Sequence, residues 1–331
     1  MISIRKATVK DIAGIMKFID DHWRKGDTLA KDRAFFEWQF VRKDDVTIIL
    51  AIDDTDNKIF GILGYLPYTE EEYPDCYITI WRVINSPNHM LGQKLVSFLY
   101  DNVKIRYSCS AGLRKKAIKL RALQGKKTVC MDHHYRLSPR KEYYIARIPD
   151  RYIPAVDKSC CKLDRISCMD EFASRIPEKI LKNSVLKKDY KYIKHRYFDH
   201  PVYVYECWCI HNDDIGSCAV FFTREEQADG HKAWKLIDYY GDEERIEDLA
   251  SCVDEIMTER CYEYIDVYSY GIEREVFQRG GFRLCDTGTE NIIPNYFHPF
   301  LQENVDIYMN YPQFDGLKMF RGDGDQDRPC D

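Results

Sequence analysis

The most informative pattern of apolar and polar positions extends from residue 76 to residue 137, where it indicates alternating strands and helices and ends in a strand. Residues 76–85 (CYITIWRVIN) are β-branched and aromatic, which is typical of a strand. Pro87 and Gly92 interrupt the pattern, and apolar residues then recur at helical spacing. The pattern therefore predicts a strand, a turn and a helix, followed by a second strand at 107–113 and a short helix at 115–124 that Gly125 closes.

The second half of the chain has a similar outline. Ile246, Leu249 and Val253 begin an apolar face at helical spacing that extends to 261, and 273–279 predicts a shorter helix. Pro149 and Pro154 mark a linker near 147–160. Apolar and aromatic runs predict strands at 202–211, 215–222, 233–240 and 264–270.

The turn between the first predicted strand and its helix is the best candidate for an anion site. A helix N-terminus offers unpaired backbone N–H groups and the positive end of the helix dipole. Residues 88–94 carry no acid and end in Lys94. The sequence therefore indicates a diphosphate site here.

These elements resemble the GNAT superfamily of acyl-CoA N-acyltransferases. Residues 2–23 are similar to its first strand and helix, and 60–65 (FGILGY) to its third strand. Gly92 matches the last glycine of the Arg/Gln-x-x-Gly-x-Gly/Ala loop, whereas Pro87 and Met90 replace the usual Arg/Gln and Gly. Residues 111–126 resemble a second GNAT segment, with Arg121 at the usual Tyr. The resemblance implies that CoA contacts Val83, Ile84, His89, Met90, Leu91, Gly92, Gln93, Lys94 and Arg121.

The expected fold class is α/β (α+β), with two tandem GNAT-like domains. Each is expected to be a mixed, mostly antiparallel sheet flanked by helices. Residues 1-148 would bind acyl-CoA, and residues 160-331 would form a degenerate copy that contributes to acceptor binding. Gly281 and Phe282 resemble the "GF" closure of the GNAT segment.

A comparison of charge assigns CoA to the first half. The equivalent turn of the second half, 241–245 (GDEER), carries three consecutive carboxylates. These would repel a diphosphate by roughly 1–4 kcal/mol per charge pair. The turn at 88–94 has no such charge, so acyl-CoA is expected there.

Composition excludes other classes of protein. The 331 residues include 45% apolar ones, which suffices for two cores, and the net charge of −5 argues against nucleic-acid binding. No apolar run reaches the ~20 residues of a membrane span. The thirteen cysteines lack the paired spacing of a zinc site, so no metal is expected. Without a signal-peptide pattern, reduced thiols and a cytoplasmic location are expected.

Three further segments resemble two-domain bacterial GNAT proteins that N-acylate nucleotide-linked amino sugars for O-antigen or capsule synthesis. They are 20–40, 197–205 and 319–329. The resemblance implies a dTDP- or UDP-linked aminodideoxysugar as acceptor and a short donor, an acetyl- or 3-hydroxyacyl-CoA. The expected acceptor-binding residues are Trp23, Trp38, Gln39, Tyr197, Asp323, Asp325, Asp327 and Arg328.

Amide formation requires a neutral amine, so a carboxylate, a histidine or a bound water must take its proton. The candidate catalytic residues are His22, Asp27 and His134. In the resembled family a backbone N–H on the fourth strand, here near Val83, binds the oxyanion. Arg121 cannot donate a proton at neutral pH, so another group or water must serve the leaving thiolate.

Three functions are compatible with these observations. The first is acyl transfer to a nucleotide sugar, and the second is acyl transfer to a protein or aminoacyl acceptor. The third is acyl-CoA binding without catalysis. A fused pair of similar domains has less need of a partner subunit, so a monomer is expected.

Overall fold

A computed structural model describes residues 1–43, 45–113, 118, 122, 125–182, 185–212, 218–286, 288, 290–324 and 327–329. The chain forms two compact units, each assembled from separate stretches of sequence. The first contains Met1–Ser110, Asn310–Pro312 and Arg328–Asp331. The second contains Ala111–Met309 and Gln313–Asp327.

The first unit is a sheet with helices on both faces. Its strands are β1 (Ile2–Thr8), β2 (Val41–Arg42), β3 (Asp45–Asp53), β4 (Ile59–Pro67), β5 (Cys76–Val83) and β6 (Ser108–Ala111). Its helices are α1 (Ile12–His22), α2 (Thr28–Lys31), α3 (Arg33–Phe40) and α4 (Leu91–Asn102), and a 3-10 turn spans Val9–Asp11.

Alternation along the strands of this sheet separates two apolar layers. β1, β3, β4 and β5 are antiparallel neighbours, and β6 is parallel to β5. Side chains such as Leu50 and Ile62 pack with α1 and α3, whereas Ile49 and Leu63 pack with α4. The sheet is therefore buried on both sides, as its nearly continuous apolar runs require.

The second unit contains the remaining elements. Its strands are β7 (Lys126–Cys130), β8 (Asp132–Leu137), β9 (Lys162–Ile166), β10 (Glu206–His211), β11 (Cys218–Ala228), β12 (His231–Gly241), β13 (Tyr262–Tyr270), β14 (Arg283–Leu284), β15 (Tyr296–Phe297), β16 (Phe300–Leu301), β17 (Tyr308–Pro312, whose last three residues belong to the first unit) and β18 (Met319–Phe320). Its helices are α5 (Met169–Arg175), α6 (Glu178–Lys182), α7 (Tyr190–Ile193), α8 (Leu249–Glu259) and α9 (Arg274–Arg279), with a 3-10 turn at Glu243–Ile246 and a π-helical turn at Lys194–Phe198.

The second sheet repeats the strand order of the first. β9, β10, β11 and β12 are antiparallel neighbours, and β13 is parallel to β12. β8 then lies between β13 and β14, although it precedes both by more than a hundred residues. In the first sheet β17 occupies the corresponding place beside β6. Each sheet is thus completed by a strand from the other half of the sequence.

The expected fold class is confirmed, with two mixed, mostly antiparallel sheets flanked by helices. Most predicted elements are present, but the strand expected from residue 202 begins only at Glu206. The helix expected from residue 246 begins at Leu249, because a 3-10 turn precedes it. Of the helix expected at 115–124, only residues 118 and 122 are among the described residues.

The expected domain boundaries do not separate the two sheets. β8 lies within 1-148, yet it pairs with strands of the second unit. Pairing between strands distant in sequence leaves no local signal, so the exchange could not be predicted from composition or periodicity. The assignment of acyl-CoA to 1-148 and of the acceptor to 160-331 stays a prediction.

Replacing Gly14 or Gly64 of the first unit by alanine should change the stability of the protein in opposite directions. A methyl group at Gly64 would lie 3.0 Å from Ile80, Phe40 and Thr79, so Gly64→Ala should destabilise the protein by about 1–3 kcal/mol. At Gly14, in α1, the nearest atom is 3.5 Å away, so Gly14→Ala should stabilise by up to about 1 kcal/mol. Thermal unfolding of the two variants beside the wild type measures both shifts. Equal shifts in stability for the two variants would show that the side chains around Gly64 move aside at no cost.

Candidate active site

The parallel strands β5 and β6 remain together for only two residue pairs. Cys76 is paired with Ser108 and Tyr77 with Cys109, and the described register ends there. Residues 78–83 of β5 therefore lie beyond the paired part, on the side of the strand that faces β6. An extended ligand can bind along the edge of a strand that has separated from its neighbour.

A β-bulge changes the course of β5 within this stretch. Leu63 is paired with Trp81 and Tyr65 with Ile78, so two residues of β5, Thr79 and Ile80, share the place opposite Gly64. A bulge bends its strand and redirects the backbone groups beside it. The local signal for this bulge in the sequence is Gly64, the glycine of β4 that lies opposite it.

The turn after β5 leads directly into α4. Met90, the residue that precedes the helix, has a left-handed backbone with φ 60°. Its carbonyl oxygen accepts hydrogen bonds from the backbone N–H groups of Gln93 (2.9 Å) and Lys94 (3.1 Å). The twelve-residue helix thus presents its first N–H groups and its positive dipole end at this turn.

The side chains around the turn suit an anion. The ammonium of Lys94 donates to the side-chain carbonyl of Asn88, whose own backbone N–H donates to Ser86 Oγ at 3.0 Å. His89 and Met90 are exposed, whereas Leu91 is buried and anchors the helix to the sheet. No acidic residue occurs between 84 and 94.

Three of the expected CoA contacts, Val83, Ile84 and Gly92, are engaged with neighbouring residues of the first unit. Val83 ends β5 and packs among the apolar residues beneath α4, and the Ile84 N–H donates to Phe60 O at 2.9 Å. Gly92 approaches the Trp81 ring closely, since a methyl group there would lie 3.2 Å from Trp81 Cζ2. Arg121 lies outside the described residues.

His22 and Asp27 have different surroundings in the first unit. His22 is the last residue of α1, is exposed, and contacts the Phe18 ring edge-to-face at 5.0 Å. Asp27 is buried and caps α2, with Oδ1 3.0 Å from the Leu29 N–H. Its other oxygen, Oδ2, lies 3.4 Å from Nη2 of Arg328. Asp27 is therefore shielded from solvent, whereas the imidazole of His22 is exposed.

The contact between Asp27 and Arg328 joins two segments that the sequence singled out separately. The first follows α1 and the second lies near the end of the chain.

Trp23 and Trp38 are half-buried against the core that α1 and α3 cover, and Trp38 stacks on Phe35 at 5.5 Å.

Gln39 is only 4% exposed, and its side-chain amide nitrogen is without a hydrogen-bond partner among the described residues. A buried amide normally has such a partner. The side-chain amide nitrogen of Gln39, one of the expected acceptor-binding residues, can therefore still donate a hydrogen bond.

Two other predicted site residues belong to the interior of the second unit. His134 is fully buried and stacks on Phe277 at 4.4 Å, and burial lowers the pKa of its imidazole to about 4. Tyr197 is buried between Phe222, on which it stacks at 3.9 Å, and Asp238, to which its hydroxyl donates at 2.5 Å. Neither side chain is accessible to a substrate in this conformation, and their roles stay predictions.

The described acidic residues near the C-terminus are buried in ion pairs. Asp323 is paired with Lys188 and accepts the Phe320 N–H at 2.7 Å. Asp327 forms an ion pair with Arg224 at 2.7 Å and accepts a hydrogen bond from the hydroxyl of Tyr205 at 2.6 Å. Asp325 lies outside the described residues. Within the described part, this segment is packed into the protein rather than solvated.

A buried polar cluster in the second unit was missed by the sequence analysis. Lys235 Nζ lies 3.0 Å from Asp266 Oδ1 and 2.7 Å from Pro294 O, and His133 Nε2 lies 2.8 Å from Asp266 Oδ2. Burial lowers the pKa of Lys235 to about 8. The cluster joins β8, β12 and β13. Its signal was available, because Lys235 and Asp266 interrupt otherwise apolar strands.

The described part of the chain contains no group of three or more histidine, cysteine or acidic side chains arranged to hold a metal ion. Among the helices that the structure describes, none has the length and apolar character needed to cross a membrane.

Comparison with known proteins identifies the fold. No family model matches the sequence, and no curated protein matches it. The structure is similar to a conserved protein of Enterococcus faecalis V583 described as a probable N-acyltransferase, with a TM-score of 0.58 and 10% identity over 94% of this chain and 72% of that one. It is also similar to a GCN5-related N-acetyltransferase of Anabaena variabilis ATCC 29413, with a TM-score of 0.57 and 9% identity over the same shares. The chain thus has the GNAT fold over nearly its whole length.

The turn before α4 makes a testable prediction for anion binding. Gly92→Glu would add a carboxylate at the helix N-terminus and should raise the dissociation constant for CoA at least tenfold, about 1.4 kcal/mol. Gly92→Ala is the matched control, because it tests only the close contact with Trp81. Calorimetric titration with CoA compares the two variants. Equal affinities in both variants would place the diphosphate elsewhere.

The stability of the folded protein should depend on pH through the buried carboxyl group of Asp323. Burial and the neighbouring Asp238 carboxylate raise the pKa of Asp323 to about 6, although Lys188 opposes the shift; the phenols of Tyr192 and Tyr240 also face this cluster. The folded protein therefore binds this proton more tightly than the unfolded chain does, and the contribution of Asp323 to stability increases as the pH falls through 6.

The measurement is the difference in unfolding free energy between wild type and Asp323→Asn at several pH values. From pH 7.5 to pH 5 the wild type should gain about 1 kcal/mol relative to the variant. The variant is the reference because buried histidines elsewhere respond to pH in the opposite sense. A pH-independent difference would mean that Asp323 stays ionised throughout this range.

Proposed function

We propose that the protein is an acyl-CoA-dependent N-acyltransferase whose first unit binds acyl-CoA. The observation that carries the proposal is the acid-free turn at residues 84–90, which leads from β5 into the N-terminus of α4. Such a terminus can hold the CoA diphosphate, with Lys94 beside it. The likeness in fold to an N-acetyltransferase supports the same activity.

The chemistry needs few specialised side chains in this proposal. The part of β5 that lies beyond its pairing with β6, with the bulge at Thr79 and Ile80, would bind the extended arm of CoA and stabilise the oxyanion with a backbone N–H. A neutral amine attacks the thioester carbon, and the thiolate of CoA leaves. A water molecule can protonate that thiolate, so that positioning supplies much of the rate enhancement.

His22 is the general base of this proposal. Of the three catalytic candidates, Asp27 and His134 are buried, whereas His22 is exposed at the end of α1. A neutral imidazole can accept the proton of the attacking amine, directly or through a water molecule.

We further propose a dTDP- or UDP-linked aminodideoxysugar as acceptor. The support is the sequence resemblance of residues 20–40, 197–205 and 319–329. Within the first unit, Trp23 and Trp38 could stack on a sugar or base, and the amide of Gln39 has hydrogen-bonding capacity. The repeated strand order supports a monomer as the active form, since a second similar unit is already fused to the first.

A thiol-release assay tests the function. Acetyl-, butanoyl- and 3-hydroxybutanoyl-CoA are each combined with dTDP- and UDP-linked amino sugars, with matched sugars that lack the amine, and with a lysine-rich peptide. Thiol release that depends on the sugar amine is expected. Release only with the peptide would favour a protein acceptor, and CoA binding without any release would favour a non-catalytic role.

His22→Ala tests the proposed base. The variant should lower kcat at least tenfold and leave the dissociation constant for CoA unchanged, because His22 is not part of the α4 turn. Lys17→Ala, an exposed change on the same helix, should retain full activity. Wild-type kcat in the His22 variant, at pH values from 6 to 9, would remove His22 from the mechanism.

A further inference from the structure

The second unit contains a separating pair of parallel strands like that of the first. β12 and β13 are paired from Lys232 and Tyr262 as far as Leu236 and Val267. Residues 237–241 of β12 and 268–270 of β13 then extend beyond the paired part. By position in the sheet, this gap corresponds to the one between β5 and β6.

A segment near the C-terminus lies in the gap and bonds to both of its walls. Phe320 and Met319 are paired with Ser269 and Tyr270 of β13, in antiparallel register. Two residues further on, the Gly322 N–H donates to the carbonyl oxygen of Ile237 in β12, at 2.7 Å. Backbone groups of both separating strands thus bond to this segment.

The fit of the segment is close. Met319 and Phe320 are buried, and Phe320 packs in the apolar core beneath α8. A methyl group at Gly322 would lie 2.4 Å from Tyr197 Oη and 3.0 Å from Asp238 Cβ, so only glycine fits there without displacing its neighbours.

Polar contacts fix the same segment beyond β18. The carbonyl oxygen of Gly322 lies 3.3 Å from both the Tyr192 hydroxyl and Arg196 Nε, which can donate to it. Asp323 pairs with the buried Lys188. At the other end, Lys318 is paired with Glu243, one of the carboxylates that make this turn unsuitable for a diphosphate.

We propose that the gap between β12 and β13 is a peptide-binding cleft whose ligand is the chain's own segment 318–324. The segment takes the place that, if the proposed function is correct, the extended arm of acyl-CoA takes in the first unit. The ligand class is an extended peptide with a lysine, two apolar residues, a glycine that touches the wall, and an aspartate that reaches Lys188. The second unit is therefore closed to CoA by an internal ligand as well as by its acidic turn.

A cleavable version of the full chain tests this proposal. A protease recognition sequence is inserted between the exposed residues Asp315 and Gly316, and the folded protein is cleaved. The fragment that begins at Gly316 should remain bound through gel filtration at 1 µM protein. A labelled synthetic peptide of residues 316–331 should exchange into the cleaved protein, and 1 mM CoA should not displace it.

Gly322→Val is the disruptive variant, and Gln313→Ala, an exposed change before the cleavage site, is its control. In the synthetic peptide, Gly322→Val should weaken binding to cleaved wild-type protein at least tenfold, a measurement that does not require the variant chain to fold. Free elution of the wild-type fragment at 10 µM, or its displacement by CoA, would overturn the proposal. A protein that retains the fragment but never binds CoA would instead contradict only the proposed function.

Discussion

In each sheet, one pair of parallel strands separates after a few residues, so that a gap opens between their inner edges. Buried backbone groups need hydrogen bonds, which a segment or ligand that lies in such a gap can supply. In the second unit the occupant is residues 318–322, which bond to Ile237 on one side and to β13 on the other. In the first unit, the bulged end of β5 is where we propose that acyl-CoA binds.

The two turns that follow β5 and β12 differ in charge. The turn after β5 has no acid and holds Lys94 at the start of a twelve-residue helix. The turn after β12 carries Asp242, Glu243 and Glu244. Of these, Glu243 pairs with Lys318 of the segment 318–324. The same strand order thus leads to an acid-free turn in one unit and to an acidic turn in the other.

Burial changes the meaning of several residues that looked chemically active in the sequence. Asp323 and Asp327 bind Lys188 and Arg224 inside the second unit, and His134 stacks on a phenylalanine. Such ion pairs resist separation because an unpaired buried charge is costly. His22 differs, since it ends a helix and remains exposed.

The sequence by itself determined the strands and helices around residues 76–102, the repeat in the second half, and the contrast in charge between the two turns. These follow from local periodicity and composition, which depend on neighbouring residues alone. Only the tertiary structure decided that β8 and β17 complete sheets distant from them in sequence, that β5 has a bulge opposite Gly64, and that the C-terminal segment fills a cleft. Each of these depends on hydrogen bonds between residues far apart along the chain, for which a single sequence carries no local signal.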